Sequence, residues 1–280
     1  MQKIRLATTL QASKLSGSGI VFKDFFMPVT MKGGVFQGKL TGKLYESAIN
    51  VSPRVDFTAV PPLISLPPDT QLFNDVLLEK PLVDGVFKRI HPLLGELAQP
   101  KGRVSGRITR FSWPLEKKGA DQADFSLVLD TRKITLAAAG ILRHIFAIIG
   151  LDDDILVLKQ SEIVCSGNKG RIQCTPLQIL AGDTEMRLAG SVGFDSSLDF
   201  VLEIPVTKKL VGTEGFRLLE GTTIKVPIQG DSDNAVFDAD ILSGTMEDLL
   251  AQAAKNAVKK EVKKQVERLL PGLLDKIIGN

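Results

Sequence analysis

The feature that most constrains this chain is a two-residue alternation of apolar and polar side chains that recurs along most of its length. Its clearest stretch sets Met186, Leu188, Val192 and Phe194 against Glu185, Arg187, Ser191 and Asp195. After the turn residues Asp195-Ser196-Ser197, Leu198, Phe200, Leu202, Ile204 and Val206 alternate with Asp199, Glu203 and Thr207. Strand side chains point to opposite faces in turn, so this pattern predicts an antiparallel hairpin with one apolar and one wet face. Ile224, Val226 and Ile228 repeat it, as do Phe237, Ala239 and Ile241. The N-terminal third reads the same way through Ile4, Leu6 and Leu10, then Phe36, Leu40 and Leu44, then Ile49, Val51, Val55 and Phe57. Val104, Ile108, Phe125, Leu127 and Leu129 carry it through the middle. Gly34, Gly38, Gly42, Gly190 and Gly193 lie inside these runs, where glycine permits bulges and bends. The expected fold is therefore mainly β with α additions: a long, curved, mostly antiparallel sheet whose inward apolar face forms a groove.

Helical signals are few and fall between strand groups, where they would plug or cap that groove. One follows Pro67-Pro68-Asp69, with Leu72, Val76, Leu77, Leu82, Val86, Ile90, Leu93, Leu94 and Leu97 at helical spacing, predicting a helix near 70–98. A second covers Leu136 to Ile149, with Ala137, Ile141, Ile145 and Ile148 on one face. A long C-terminal helix starts at a Thr245 cap, with Asp248 three residues on, and runs through Leu250, Ala254, Val258, Val262 and Leu269 to Pro271-Gly272. The expected organisation is a β-rich groove domain over 1–244, followed by a basic amphipathic helix over 245–280.

Composition removes several function classes. Trp113 and Tyr45 are the only aromatics besides Phe, and the net charge is only +3, which argues against a sugar or nucleic-acid partner. The longest apolar run, around Ile145 to Leu151, is far short of the roughly 20 residues of a spanning helix. Met1-Gln2-Lys3-Ile4-Arg5-Leu6 passes straight into strand-like alternation without a signal-peptide core, which favours a piece of a longer protein with its targeting segment upstream. His91 and His144 are the only histidines, and neither belongs to a legible Ser-His-Asp, HExxH or phosphate-loop pattern. Asp152-Asp153-Asp154 follows Gly150-Leu151 and reads as a solvated turn rather than a cation site. No catalytic residue, metal or cofactor is expected. Cys165 and Cys174 flank Gly167-Asn168-Lys169-Gly170, and a hairpin centred on Lys169-Gly170 sets them opposite each other. They are either a cross-strand disulfide, if the pair is a non-hydrogen-bonded one, or two small buried apolar residues.

The order of motifs from Gly190 onward resembles a known family. Gly190-Ser191-Val192-Gly193-Phe194-Asp195, Ser197-Leu198-Asp199-Phe200 and Ile204-Pro205-Val206-Thr207 precede Gly221-Thr222-Thr223-Ile224-Lys225-Val226-Pro227-Ile228-Gln229-Gly230. Together with the strand Gly34 to Tyr45, this resembles the terminal region of AsmA-like proteins of the Gram-negative envelope. It departs from that pattern after Gly230, where Asp231-Ser232-Asp233-Asn234-Ala235 replaces the usual Gly-Thr and proline. The resemblance implies a periplasmic, β-rich body anchored in the inner membrane through a segment outside this chain. It also implies a bridge-like lipid carrier tied to outer-membrane assembly or phospholipid traffic.

Two functional readings follow. In the first, acyl chains of phospholipid lie against Met186, Leu188, Val192, Phe194, Leu198, Phe200, Leu202, Ile204, Ile224, Val226 and Ile228. In the second, the sheet closes on its own core, and the protein is a structural or assembly factor that binds an envelope partner. The terminal helix serves either reading. Lys255, Lys259, Lys260, Lys263, Lys264 and Arg268 form a solvated face or a contact for anionic headgroups or an acidic partner.

Overall fold

The computed structural model describes residues 5–17, 20–44, 46–79, 82–83, 97–151, 155–232, 234–238 and scattered positions between 244 and 258. The chain divides into two compact units, one formed by Met1–Leu202 with Pro227–Phe237, the other by Glu203–Val226 with Asp238–Asn280.

The first unit is built almost wholly of antiparallel strands. β1 (Arg5–Gly17) and β2 (Ile20–Lys32) form a long hairpin. The next places are filled by short strands lying end to end. β3 (Val35–Gly38) and β4 (Leu40–Leu44) both pair with β2, and β5 (Ser47–Val51) and β6 (Arg54–Asp56) pair with β4 and β3 in turn. β7 (Leu63–Ser65) lies on β6, and with β8 (Thr70–Leu77) it pairs with the long β9 (Leu97–Pro114). β10 (Asp124–Ala138) follows on β9 and carries β11 (Ile155–Leu158) and β12 (Glu162–Asn168). β13 (Arg171–Cys174) and β14 (Leu177–Ala181) come next, both paired with β15 (Thr184–Gly193). β16 (Leu198–Pro205) follows through a tight turn in which Asp195 accepts from the Ser197 N–H at 3.0 Å. β17 (Thr223–Gly230) pairs with β18 (Ala235–Phe237). Chain neighbours are mostly sheet neighbours, which is the simplest way to pair alternating strands.

The segment after Pro67-Pro68 is a strand, not the expected helix, and bulges explain why it looked helical. Thr70, Phe73 and Val76 lie opposite Ile108, Gly106 and Val104, so three residues of β8 advance for every two of β9. All three are buried. A bulge between each pair resets which face a side chain takes, and Asp75 sits in left-handed backbone at one of them. Apolar spacing of three therefore arises in a strand. Of the remainder of that expected helix, Leu82 and Val83 are described in helical conformation and buried, Leu97 and Ala98 belong to β9, and 84–96 lie outside the described residues. Phe57, expected on a strand, is in an exposed turn.

The second expected helix is displaced as well. β10 runs on through Ala138, and α1 covers Gly140–Ile148, burying Ile141, Leu142, Ile145 and Phe146. Ile148 points to solvent at 44% exposure, and Ala137 belongs to the strand. Alternation of Ile134, Leu136 and Ala138 outweighs the modest helical bias of the alanines.

The unit curls. Between β9 and β15 lie β10, β12 and β13, a path of roughly 19 Å across a flat sheet at 4.8 Å per strand. Yet the Trp113 ring on β9 meets the Phe194 ring, just past β15, at 5.4 Å between centroids. Phe125 joins at 6.4 Å and Phe111 stacks on Trp113 at 6.3 Å. Inside the curl the facing side chains are packed: Leu127, Leu129, Ile163, Cys165, Ile172, Met186, Leu188, Val192 and Phe200 are all buried. Leu78 and Val83 close over Ile134, Leu136, Leu158 and Ile163, leaving a cavity of about 20 Å³, room for one water.

Within the second unit, α2 (Lys208–Leu219) is a helix that apolar periodicity does not announce. Thr207 caps it by accepting from the Leu210 N–H at 3.3 Å, and Gly212 breaks its path with φ 72°. Of the C-terminal helix, the described residues from Gly244 to Val258 are helical. Gly244 and Thr245 are already within it, so Thr245 is not its cap.

At Gly190 of β15 the backbone of β16 leaves no room for a side chain. Its φ is 152°, and a Cβ there would sit 2.2 Å from the Asp199 carbonyl oxygen and 2.5 Å from the Phe200 Cα. Both obstacles are backbone, so the clash cannot be relieved by a rotamer. Gly190→Ala is expected to destabilise the protein by about 2–3 kcal/mol in urea unfolding. Ser13→Ala on exposed β1 should stay within about 0.5 kcal/mol.

Candidate functional site

The residues expected to line a lipid wall alternate along their strands with more exposed positions, but, Phe194 apart, they are covered. Met186, Leu188, Val192, Leu198, Phe200, Leu202 and Ile228 in the first unit are each at most 5% exposed. Ile179 pairs with Met186, Leu177 with Leu188 and Ile172 with Val192, and these partners are buried too. Ile204, Ile224 and Val226 in the second unit are buried as well. Phe194 stands apart from this set, in the aromatic cluster with Trp113 and Phe125.

The uncovered apolar surface lies at the other end of the same unit. Directly opposed residues of an antiparallel pair share a face, so the registers can be followed strand by strand. Leu6 lies opposite Met31, Met31 opposite Phe36, Phe36 opposite Val55, Val55 opposite Ile64, and Ile64 opposite Trp113. This row crosses β1, β2, β3, β6, β7 and β9 on one face and meets the closed curl at Trp113. None of its members is fully buried, and exposure reaches 54% at Leu6. Beside it Leu10, 48% exposed, lies opposite Met27. Gly38, opposite Val29, leaves space into which Met27 and Phe36 lean, with Met27 Sδ 3.2 Å from where a Cβ would be. The row is made of apolar side chains that are half-buried or, at Leu6 and Leu10, exposed.

The sequence did show part of this row through Leu6, Leu10, Phe36 and Val55, but not Phe25, Met27, Val29 and Met31 of β2. Their alternation with Phe26, Pro28, Thr30 and Lys32 is legible in retrospect. Apolar residues at Phe22 and Phe26, and Asp24 in left-handed backbone, disguise it.

The opposite face is charged and paired. Arg107 with Asp69 at 2.6 Å, Arg103 with Asp75 at 2.9 Å, Arg110 with Asp124 at 2.9 Å and Lys159 with Glu185 at 2.6 Å span neighbouring strands. Exposed pairs of this sort contribute little stability and mainly keep that face wet. A hollow of about 450 Å³ opens where β3, β5 and β7 approach their breaks, lined by Gln37, Ser52, Arg54 and Ser65 among others. Arg54 is tied to Asp56 at 3.1 Å, and Asp56 also accepts from the hydroxyl and N–H of Thr58. Chiefly through the Thr58 hydroxyl, then its N–H and Arg54, the Asp56 carboxyl is held down at about 2.

Cys165 and Cys174 face each other as expected and are joined through their Sγ atoms, with Cα atoms 3.9 Å apart. The adjacent pair, Val164 and Thr175, is hydrogen-bonded through the backbone at 2.7 Å, so by alternation the cysteine pair is a non-hydrogen-bonded one. His144 is exposed on α1, while His91 and Asp152-Asp153-Asp154 lie outside the described residues. Lys255 is helical and exposed; Lys259, Lys260, Lys263, Lys264 and Arg268 lie outside the described residues. Among the described residues there is no acidic, histidine or cysteine cluster able to hold a metal, and no helix long and apolar enough to cross a membrane.

Comparison with protein-family models, with curated proteins and with solved structures finds no match to this chain.

Two outcomes follow from these sites. Replacing both cysteines with alanine is expected to lower stability by about 2–3 kcal/mol in chemical denaturation, the value of closing a short loop. Because Asp56 is depressed in the folded state, its contribution is complete above its ordinary value of 3.8 and fades as pH falls toward about 2. An NMR titration should place its midpoint near 2, and Thr58→Ala should move that midpoint upward.

Proposed function

We propose that this protein is a passive lipid-holding wall, and that acyl chains lie on the face marked by Leu6, Leu10, Met27, Met31, Phe36 and Val55 rather than against Met186 to Ile228. The observation that carries this reading is the contrast in cover along one sheet. The apolar face is filled by protein within the curl, whereas Leu6 and Leu10 on β1 are exposed and Met27, Met31, Phe36 and Val55 beside them are only half-buried. An acyl chain laid along that row removes apolar surface from water, worth roughly 1.5–3 kcal/mol for each aliphatic side chain fully covered. Its headgroup stays in water. Exposed apolar surface of this continuity marks an interaction site more often than an accident of folding. The AsmA-like resemblance supplies the setting: a periplasmic module of an inner-membrane-anchored envelope protein, acting in phospholipid traffic or outer-membrane assembly. No reaction is involved in this reading, and the lipid is bound without cofactor or metal.

The second reading, an assembly factor with a closed core, is favoured by the burial of every residue of the Met186–Ile228 set except Phe194. In that case the basic terminal helix, of which Lys255 is the described member, is the binding element, and phospholipid is not retained.

Native mass spectrometry of protein purified in mild detergent separates the two. Lipid-bound species are expected, and Leu10→Asp is expected to reduce their fraction about tenfold, in line with loss of one covered aliphatic residue. Thr9→Asp, on the other face of β1, should leave it unchanged. Absence of bound lipid, with equal stability before and after delipidation, would rule the wall out.

A further inference from the structure

β1 is bonded to β2 from Arg5 to Gly17, and among the described residues no other strand is in register with it. Its 13 residues are exposed with the sole exception of half-buried Ala12. A free edge of this length presents a row of unpaired N–H and C=O groups, which proteins ordinarily defend with proline, bulges, inward charges or a covering element. β1 has no proline and only two charged residues, Arg5 and Lys14. We propose that this edge is a self-association surface: β1 pairs antiparallel with β1 of a second copy of this chain, about a two-fold axis at Thr8.

The side-chain pattern selects both the occupant and the register. With the axis at Thr8, Leu6 faces Leu10 of the second copy, Thr8 faces Thr8, Ala7 faces Thr9, and Arg5 faces Gln11. Leucines meet leucines on the apolar face, small and polar residues meet on the other, and no like charges are opposed. Moving the axis to Leu10 sets Leu6 against Lys14, and moving it to Gln11 sets Leu6 against Ser16 and Thr8 against Lys14. The first keeps only Leu10 against Leu10 and the second keeps no leucine pair, and a one-residue slip puts the leucines on the wrong face. In the Thr8 register the two apolar rows join, running from Met31 through Leu6 to Leu10 and Met27 of the second copy. Leu6 and Leu10, the most exposed residues of each row, become its covered centre. The proposal does not depend on lipid, and its test uses lipid-free protein.

Light scattering on the intact chain after delipidation should give twice the monomer mass at ~100 µM, where a micromolar dimer is saturated. Thr8→Lys opposes two lysines at the axis and is expected to weaken association at least tenfold. The melting temperature measured at high dilution should be unchanged, since Thr8 is exposed in the single chain. Thr8→Cys should form a covalent dimer under mild oxidation, while Lys14→Cys should not. A monomer at ~100 µM, a dimer indifferent to Thr8→Lys, or equal cross-linking from Lys14→Cys would each overturn the proposal. So would a mass explained by one copy bound to a different protein.

Discussion

The contact on which the architecture turns is that between Trp113 and Phe194. It joins parts of the sheet that would stand about 19 Å apart if the sheet were flat. That contact fixes the sheet between β9 and β15 as a curl, and the curl decides the fate of every inward side chain along it. Leu127, Leu129, Ile163, Cys165, Ile172, Met186 and Leu188 face one another at close range and exclude water. Before β9 the cover is uneven: Val29, Leu44, Ile49, Val51, Phe73 and Val76 are buried, while Leu6 and Leu10 on β1 are exposed. The same face, with the same kind of side chain, continues outward through Ile64, Val55, Phe36 and Met31, which are half-buried, to Leu6, which is exposed. One sheet thus carries a packed interior and, beyond the aromatic cluster, an apolar row that ends exposed on β1.

Much of this was legible in the sequence, because alternation reports directly on which side chains share a face. The strands from Thr184 to Ile228, the turn at Asp195-Ser196-Ser197 and the opposition of Cys165 and Cys174 all follow from it. What alternation does not report is what lies against the apolar face. Met186 and Leu6 look alike in the sequence, yet one is 1% and the other 54% exposed. The difference is set by curvature, which depends on contacts between residues far apart in the chain. The same limit accounts for β8. Its bulges place Thr70, Phe73 and Val76 on one face at a spacing of three, and a short window cannot distinguish that from one side of a helix. At α2, polar and glycine residues dilute the apolar period, and the Thr207 cap is the one local sign of a helix.

The exposed end of that row has two neighbouring surfaces of different character. Its face offers apolar side chains, suited to acyl chains. Its border at β1 offers backbone groups, suited to another strand. Both are consequences of one fact, that β1, the first strand of the sheet, is exposed along almost its whole length.

The central claim is that lipid meets the face running from β1 to β7 and not the packed interior. Photo-crosslinking tests it most directly, with a photo-reactive residue placed at Phe36 in one protein and at Leu202 in another, each incubated with phospholipid vesicles and analysed for lipid adducts. Adducts at Phe36 and none at Leu202 are the predicted result. Adducts at Leu202 with none at Phe36 would contradict the account and return the wall to the interior strands.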